Sequence, residues 1–382
     1  MKLTKIQELL CLSLSSDFEF NKKNKFVQLY KQVDKPDLYK EALQDEVFTH
    51  LAHLLLTYKL ENKKNLQTSL NSISKKMNIF LLELNNIASE FEKEKISTIA
   101  LKNAGILVGI YKNLYCSPMG DLDLLVKKSD FYLAHDIITK KLGYTFKFRS
   151  DLETEDVKLA YLGGGSEYYK TVDDVKVWVE IQWRPVAGRW IQENNEPDSD
   201  QLIKDSITLN NTKVRILEPT DNLLQVCLHT AKHSYCRAPG FRLHSDVDRV
   251  VRFNNINWEI FLKKVLKLQI KTAVYYSLFF SKKLLKTPIP EDILIKLKPN
   301  FLKNNVMLGF IFNAGIFNQH KKKFSKLGYI FFNIMLFDSF KNLLNGIFPT
   351  QSNKEKVFTN FYDMCKFYFK RILNLILKRQ KL

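Results

Sequence analysis

Cysteine is scarce in this chain of 382 residues: five, odd in number and scattered as Cys11, Cys116, Cys227, Cys236 and Cys365. That argues against a disulfide framework and for a reducing compartment. Long hydrophobic runs are missing too. The longest apolar stretches, Val306 to Phe317 and Leu327 to Phe337, are split by the basic segment QHKKKFSK. Each falls well short of the ~20 residues a spanning helix needs. The apolar run at the N-terminus is short, contains Glu8 and lacks a small-x-small cleavage pattern, so it does not read as a signal peptide. The expectation is a soluble, cytoplasmic protein. No internal repeat, extended low-complexity segment, G-x-x-x-x-G-K-[ST] loop, G-x-G-x-x-G turn or Ser nucleophile elbow occurs. The run Gly163-Gly164-Gly165-Ser166 reads as the loop of a hairpin.

What is there is base and apolar bulk. Lys and Arg number 59 against 40 Asp and Glu, a net charge of +19, and 45% of residues are hydrophobic, Phe alone supplying 28. Such a chain can build a sizeable core and is not mainly disordered. Lys, Asn, Ile and Phe are abundant together, which spreads the positive charge over the whole surface. A nucleic-acid partner is therefore not indicated, since such binders concentrate Arg on one face.

Three- and four-residue apolar steps through Leu51, Leu54, Leu55 and Tyr58, then Ile79, Leu82, Ile87 and Phe91, predict an N-terminal helical region over 1–95. Over 96–218 the pattern becomes α/β. ISTIALKNAG gives a short strand and turn, followed by a helix through Ile106 to Leu114, the strand DLDLLV (121–126) and a helix Phe131 to Leu142. Further strands follow at 144–148, 157–162 and 175–183, with Asp173-Asp174 as a turn. Helical periodicity returns over 219–318, expected to pack on the core. The tail 319–382 reads as basic and aromatic, with 13 Lys and Arg against three acids. The fold class is α+β: a small mixed-sheet core flanked by N-terminal and C-terminal helical regions.

The sharpest chemical feature is Gly120-Asp121-Leu122-Asp123. In a strand, residues i and i+2 share a face, so Asp121 and Asp123 converge while Leu122 and Leu124 pack behind. Two close carboxylates repel unless a cation sits between them. Hard oxygens open on one side suit Mg²⁺, which takes the rest of its shell from water and phosphate. The competing reading is two acids at the exposed start of a strand. Glu180 lies mid-strand in VKVWVEIQW, where a lone carboxylate is costly to bury. If its strand neighbours 121–126, it completes a triad as a metal ligand or as the base for an attacking hydroxyl. Upstream, Lys102-Asn103-Ala104-Gly105 is a strand-to-helix turn whose free N–H groups can hold a phosphate.

This order of elements resembles the polymerase-beta-like nucleotidyltransferase superfamily. More narrowly, LKNAGILVGIYKNLYCSPMGDLDLLV, VEIQWRP, and LLQVCLHTAKH followed by RLHSDVDRVV resemble a poorly characterised bacterial nucleotidyltransferase family found in some biosynthetic gene clusters. The resemblance covers most of residues 80–260. It implies a nucleotidyltransferase core that transfers an NMP from an NTP to an acceptor and releases pyrophosphate. Asp121 and Asp123 would bind two Mg²⁺ ions and Glu180 would be the third acid. Lys102, Asn103, Ala104, Gly105 and Gly120 would meet the nucleotide. The chain departs from the usual pattern at Asn103 and Ala104, where glycine is common, at Ser117 near the place of an Arg, and at Gln182 in place of a His. Those departures motivate an alternative: a non-catalytic scaffold that binds a nucleotide, a biosynthetic partner or nucleic acid.

His229 and His233, four apart on one helical face, can bind a metal, but the intervening Thr230-Ala231 lacks the Glu of a zinc protease motif. The favoured reading has them hydrogen-bonded at the interface between core and helices, with Asp246 as a partner. The competing one places Gln182, Arg184, His229, His233, Arg242 and Asp246 around a pocket for an unidentified acceptor. For the tail, the leading reading is a helical layer with a solvated Lys face. A second is peripheral attachment to anionic lipid at the inner membrane face through FYFKRILNLILKRQKL.

Overall fold

Apolar side chains recur every second residue in the strand Val175–Gln182 (β5): Val177, Val179 and Ile181 are buried on one face, and Trp178 and Glu180 lie on the other. That alternation sets the register of the molecule's sheet. The computed structural model describes residues 2–14, 20–111, 113–147, 157–188, 190–209, 213–318 and 321–347. Its strands are Ile99–Ala100 (β1), Asp121–Leu125 (β2), Thr145–Lys147 (β3), Gly165–Val172 (β4), β5, Ile207–Thr208 (β6) and Arg215–Ile216 (β7). They form one mixed sheet in the order β3-β4-β5-β2-β1-β7-β6. β2 runs parallel to β5 and antiparallel to β1, and β4 and β5 form an antiparallel hairpin. Asp173 and Asp174, at φ 47° and 62°, supply the left-handed two-residue turn that such hairpins favour.

Helices flank this sheet in sequence and in space, so the fold is α+β. The long helix Lys63–Lys93 sends Phe80, Leu84, Ile87 and Phe91 into the same core as Leu122, Leu124, Val177, Val179 and Ile181. Burying a side chain of this size contributes about 2 to 3 kcal/mol. A second core joins the ends of the chain. Leu9, Leu10 and Leu14 from Lys5–Leu14, and Leu51 and Leu55 from Phe48–Thr57, share it with Leu224, Val247, Tyr276 and Phe280 of the later helices Pro219–Lys232, Arg242–Phe253 and Lys271–Leu285. The N-terminal helices up to residue 57 therefore belong with the C-terminal ones, and helix Lys63–Lys93 bridges the two cores, with Leu66 and Leu70 in the second and its later turns on the sheet.

Two sequence expectations need correction. Residues 157–162 form a helix, Val157–Gly163, not a strand; the strand is β4, immediately after the glycines. The glycine run is thus no hairpin loop but the junction between helix and strand. The alternation that marks β4, with Ser166 and Tyr168 buried, is carried by a serine and a tyrosine rather than by aliphatic residues. The helix expected from Ile106 already begins at the turn, as Lys102–Gly109. No helix among the described residues is long and apolar enough to cross a membrane. Helices Lys326–Met335 and Phe340–Ile347 begin the tail; the segment FYFKRILNLILKRQKL lies outside the described residues.

Candidate active site

The parallel register of β2 and β5 sets Asp121 opposite Trp178 and Asp123 opposite Glu180. Asp123 is 4% exposed, and Glu180 is partly open. Between them reaches Lys102, the first residue of helix Lys102–Gly109. Its ammonium donates to Asp123 Oδ1 and lies 3.4 Å from Glu180 Oε2. Lys102 holds φ at 50°, a left-handed conformation that costs a non-glycine residue about 1 kcal/mol or more. The turn is kept in place by the Leu101 N–H, which donates to the Asp123 carbonyl at 2.9 Å, and by Gly105. A Cβ on Gly105 would stand 2.5 Å from the Ala100 carbonyl oxygen, so only glycine lets the helix start this close to β1.

Burial raises the Asp123 carboxyl well above its ordinary range, and Asp121 and Glu180 add to the rise against the opposing pull of Lys102. Burial works against ionisation of Glu180 as well, but Lys102 and Lys232, with a hydrogen bond from Asp123, bring it to about 2. Burial disfavours the Lys102 ammonium too, yet Asp123, Glu180 and Asp121 together hold it more firmly charged than usual. The wall is a compensated cluster of carboxylates around one ammonium.

These groups open on a cavity of about 430 Å³. Its second wall is helical: His229 and Lys232 from Pro219–Lys232, then His233, Pro239 and Arg242. The junction Gly163–Glu167 closes one side. The glycines there make room. A Cβ on Gly164, at φ 95°, would meet the Arg184 side chain at 2.6 Å, and one on Gly165 would meet Gln182 Cβ at 2.9 Å. Burial pushes both imidazoles down, His229 well below its ordinary range and His233 to about 3, with Lys232 and Lys102 adding to the effect. Both rings are therefore neutral near pH 7. Their centroids lie 4.9 Å apart, and His233 Nδ1 donates to the Ala238 carbonyl. Arg242 is clamped: Nη1 donates to Asn103 Oδ1 at 2.8 Å and Nε to Glu46 Oε2 at 3.0 Å.

Of the residues singled out from sequence, Lys102, Asn103, Asp121, Asp123, Glu180, His229, His233 and Arg242 line this one cavity. The others do not. Ala104 and Gly105 are buried inside their helix, and Gly120 is exposed ahead of β2. Gln182 is buried, and among the described residues neither of its amide atoms has a partner. Arg184 turns to Glu196, whose carboxylate also accepts from the Val186 N–H at 3.0 Å. Asp246 is buried one turn beyond Arg242, away from the cavity, so it does not partner the histidines, and His233 bonds a backbone carbonyl instead. Sequence reasoning missed Lys232 and Glu167. Lys232 carried a signal, since it sits beside the two histidines, but a lysine in the last turn of a helix is the commonest of residues there.

The three acids do not stand as a ready-made ligand set: among the described residues no group of three or more His, Cys, Asp or Glu side chains is placed to hold a metal ion. Lys102 occupies the place between Asp123 and Glu180. The donor chemistry nonetheless fits Mg²⁺, because this ion is commonly held by one or two carboxylates plus substrate phosphates rather than by a protein cage. Asp121 and Asp123, on one face of β2 and on one cavity, provide those two.

The sequence pattern of a family described as "Uncharacterised nucleotidyltransferase" matches residues 31–286. The match spans the sheet, the cavity and both of its walls, and it covers more than half of the chain. No curated protein and no solved structure matches. The chain belongs to this nucleotidyltransferase family.

Proposed function

From that membership we propose that the chain is a Mg²⁺-dependent nucleotidyltransferase that moves an NMP from an NTP to an acceptor hydroxyl or phosphate. The observation that supports this reading best is the pairing of Asp123 with Glu180, with Asp121 on the same face and the Lys102 turn on the same cavity. Asp121 and Asp123 would hold divalent cations together with the nucleotide phosphates. Bound there, the cations would neutralise charge on the attacking and leaving oxygens. The free N–H groups at the start of helix Lys102–Gly109 would meet the phosphates, with Lys102 redirected to them from its carboxylates. Glu180 would take the proton of the acceptor hydroxyl as its oxygen bonds to the α-phosphorus. The bond from that phosphorus to the bridging oxygen breaks and pyrophosphate leaves.

A second reading has its own observation. The Lys102 ammonium already balances Asp123 and Glu180, as in a scaffold that binds a nucleotide or partner without turnover. Thermal denaturation with each of the four NTPs, with and without Mg²⁺, separates the two, because a ligand of the native state raises its midpoint. The catalytic reading expects one NTP to stabilise the wild type only with Mg²⁺, and Asp121→Asn/Asp123→Asn to lose the effect. Mg²⁺-independent binding, or none, favours the scaffold.

A further inference from the structure

The cations on the cavity can be assigned one by one. Lys102 is engaged with Asp123 and Glu180, and Arg242 with Glu46 and Asn103. The two imidazoles are uncharged. Lys232 remains: it lines the cavity and forms no ion pair or hydrogen bond among the described residues. It ends helix Pro219–Lys232, between His229 and His233. It stands on the helical wall, the side left for the acceptor, and not on the strands that would hold the cation and the nucleotide. Burial lowers its ammonium's affinity for its proton, which an arriving anion would offset. A point charge on a flexible stem beside a neutral imidazole N–H is a standard means of holding phosphate oxygens. His233 keeps its proton on Nδ1, bound to Ala238, and so offers an acceptor nitrogen to a hydroxyl.

We propose that Lys232, with His229, forms a subsite for a phosphate group carried by the acceptor, so that the acceptor is a phosphorylated molecule. This rests on the nucleotidyl-transfer reading above. The experiment follows the thermal midpoint of the full chain titrated with inorganic phosphate at constant ionic strength. It is repeated with Mg²⁺ and each α,β-methylene nucleotide at saturation. The expected result is phosphate binding that persists beside the nucleotide. It should weaken about tenfold in Lys232→Met, less in Lys232→Arg, and not at all in Lys75→Met, which removes one exposed charge elsewhere. Equal phosphate binding by Lys232→Met and wild type would overturn the subsite. Displacement of phosphate by the nucleotide would overturn its assignment to the acceptor and give Lys232 to the triphosphate. If no nucleotide binds the wild type, the transfer reading falls, and the acceptor with it, while a loss confined to Lys232→Met would still mark an anion site.

Discussion

The two walls of the cavity handle charge in opposite ways. On the sheet wall, Asp123 and Glu180 face each other across β2 and β5, and Lys102 stands between them. On the helical wall the histidines are neutral, Arg242 is clamped from behind, and Lys232 has no partner among the described residues. The first wall is internally balanced and, on the proposed function, would have to exchange one cation for another before working on a nucleotide. The second, on the proposal above, would take an anion without exchanging a partner. On the proposed function such a site would take its ligands in complementary halves: cation and nucleotide against the strands, acceptor against the helices.

The largest expected effect tests the sheet wall. Asp121→Asn keeps the shape of a side chain that is not needed for packing and removes one metal-binding charge. Pyrophosphate release should fall on the order of 10³-fold, about 4 kcal/mol of transition-state stabilisation. The thermal midpoint should stay within the narrow range of surface substitutions. Activity close to wild type would place the catalytic acids elsewhere.

Lys102→Met tests the balance itself. It leaves Asp123 and Glu180 face to face without a cation, and breaking a buried ion cluster this way costs about 3 to 5 kcal/mol. Urea denaturation at neutral pH should show that loss. Two conditions should restore stability. Mg²⁺ alone should act as the missing cation, so the variant gains more from the metal than the wild type does. Lower pH should also help: a carboxyl whose folded affinity for protons is raised stabilises the fold while protonated, and that contribution is lost as pH rises. A variant as stable as wild type would show that the ammonium does not hold the carboxylates.

The difference between the walls also explains what could be read from sequence. Asp121, Asp123 and Glu180 were legible because a strand has a period of two and a carboxylate in an apolar strand stands out. The turn at Lys102 was legible from its small residues. That β2 and β5 are neighbours was not, since parallel pairing joins segments with no short connection to announce it. β4 was missed because its buried positions are Ser166 and Tyr168 rather than Val or Ile. The helical wall was half legible. His229, His233 and Arg242 are residue types that draw the eye, whereas Lys232 is distinguished only by having no partner among the described residues, which is a property of three dimensions. Asp246 shows the converse: its type suggested the cavity, and its burial beyond Arg242 removes it.

Asp246 nonetheless gives the helices behind the cavity a pH dependence of their own. Burial lifts its carboxyl from 3.8 to about 6, although Arg242 and Arg249 oppose the rise. The folded state therefore holds a proton that the unfolded chain has released between those values. The contribution of Asp246 to stability should fall by roughly 3 kcal/mol as pH rises from about 4 to about 6, then level off, against the opposite slope of the buried histidines His229 and His233. Asp246→Asn cannot titrate, so the difference in stability between it and wild type should change by that amount over the interval. Urea midpoints at several pH values measure this, and parallel curves for variant and wild type would assign the slope to other groups.

The smallest effect asks whether the helical wall is tuned from the far end of the chain. Glu46, which joins helices Lys35–Gln44 and Phe48–Thr57, accepts from Arg242 with a side chain 43% exposed. A pair this open is worth less than about 1 kcal/mol. Glu46→Gln keeps an oxygen that can accept from Nε and removes only the charge, so the fold should barely notice. The cavity should notice more. Arg242 would keep its bond to Asn103 but lose its counter-ion, and the wall would become one charge more positive. Phosphate should then bind about twofold more tightly, and the gain should vanish as salt screens it. A gain in Glu46→Gln alongside a loss in Lys232→Met would show that one wall carries both the free cation and the restrained one. No change would mean that the Arg242 charge is spent wholly behind the wall, leaving Lys232 to act alone.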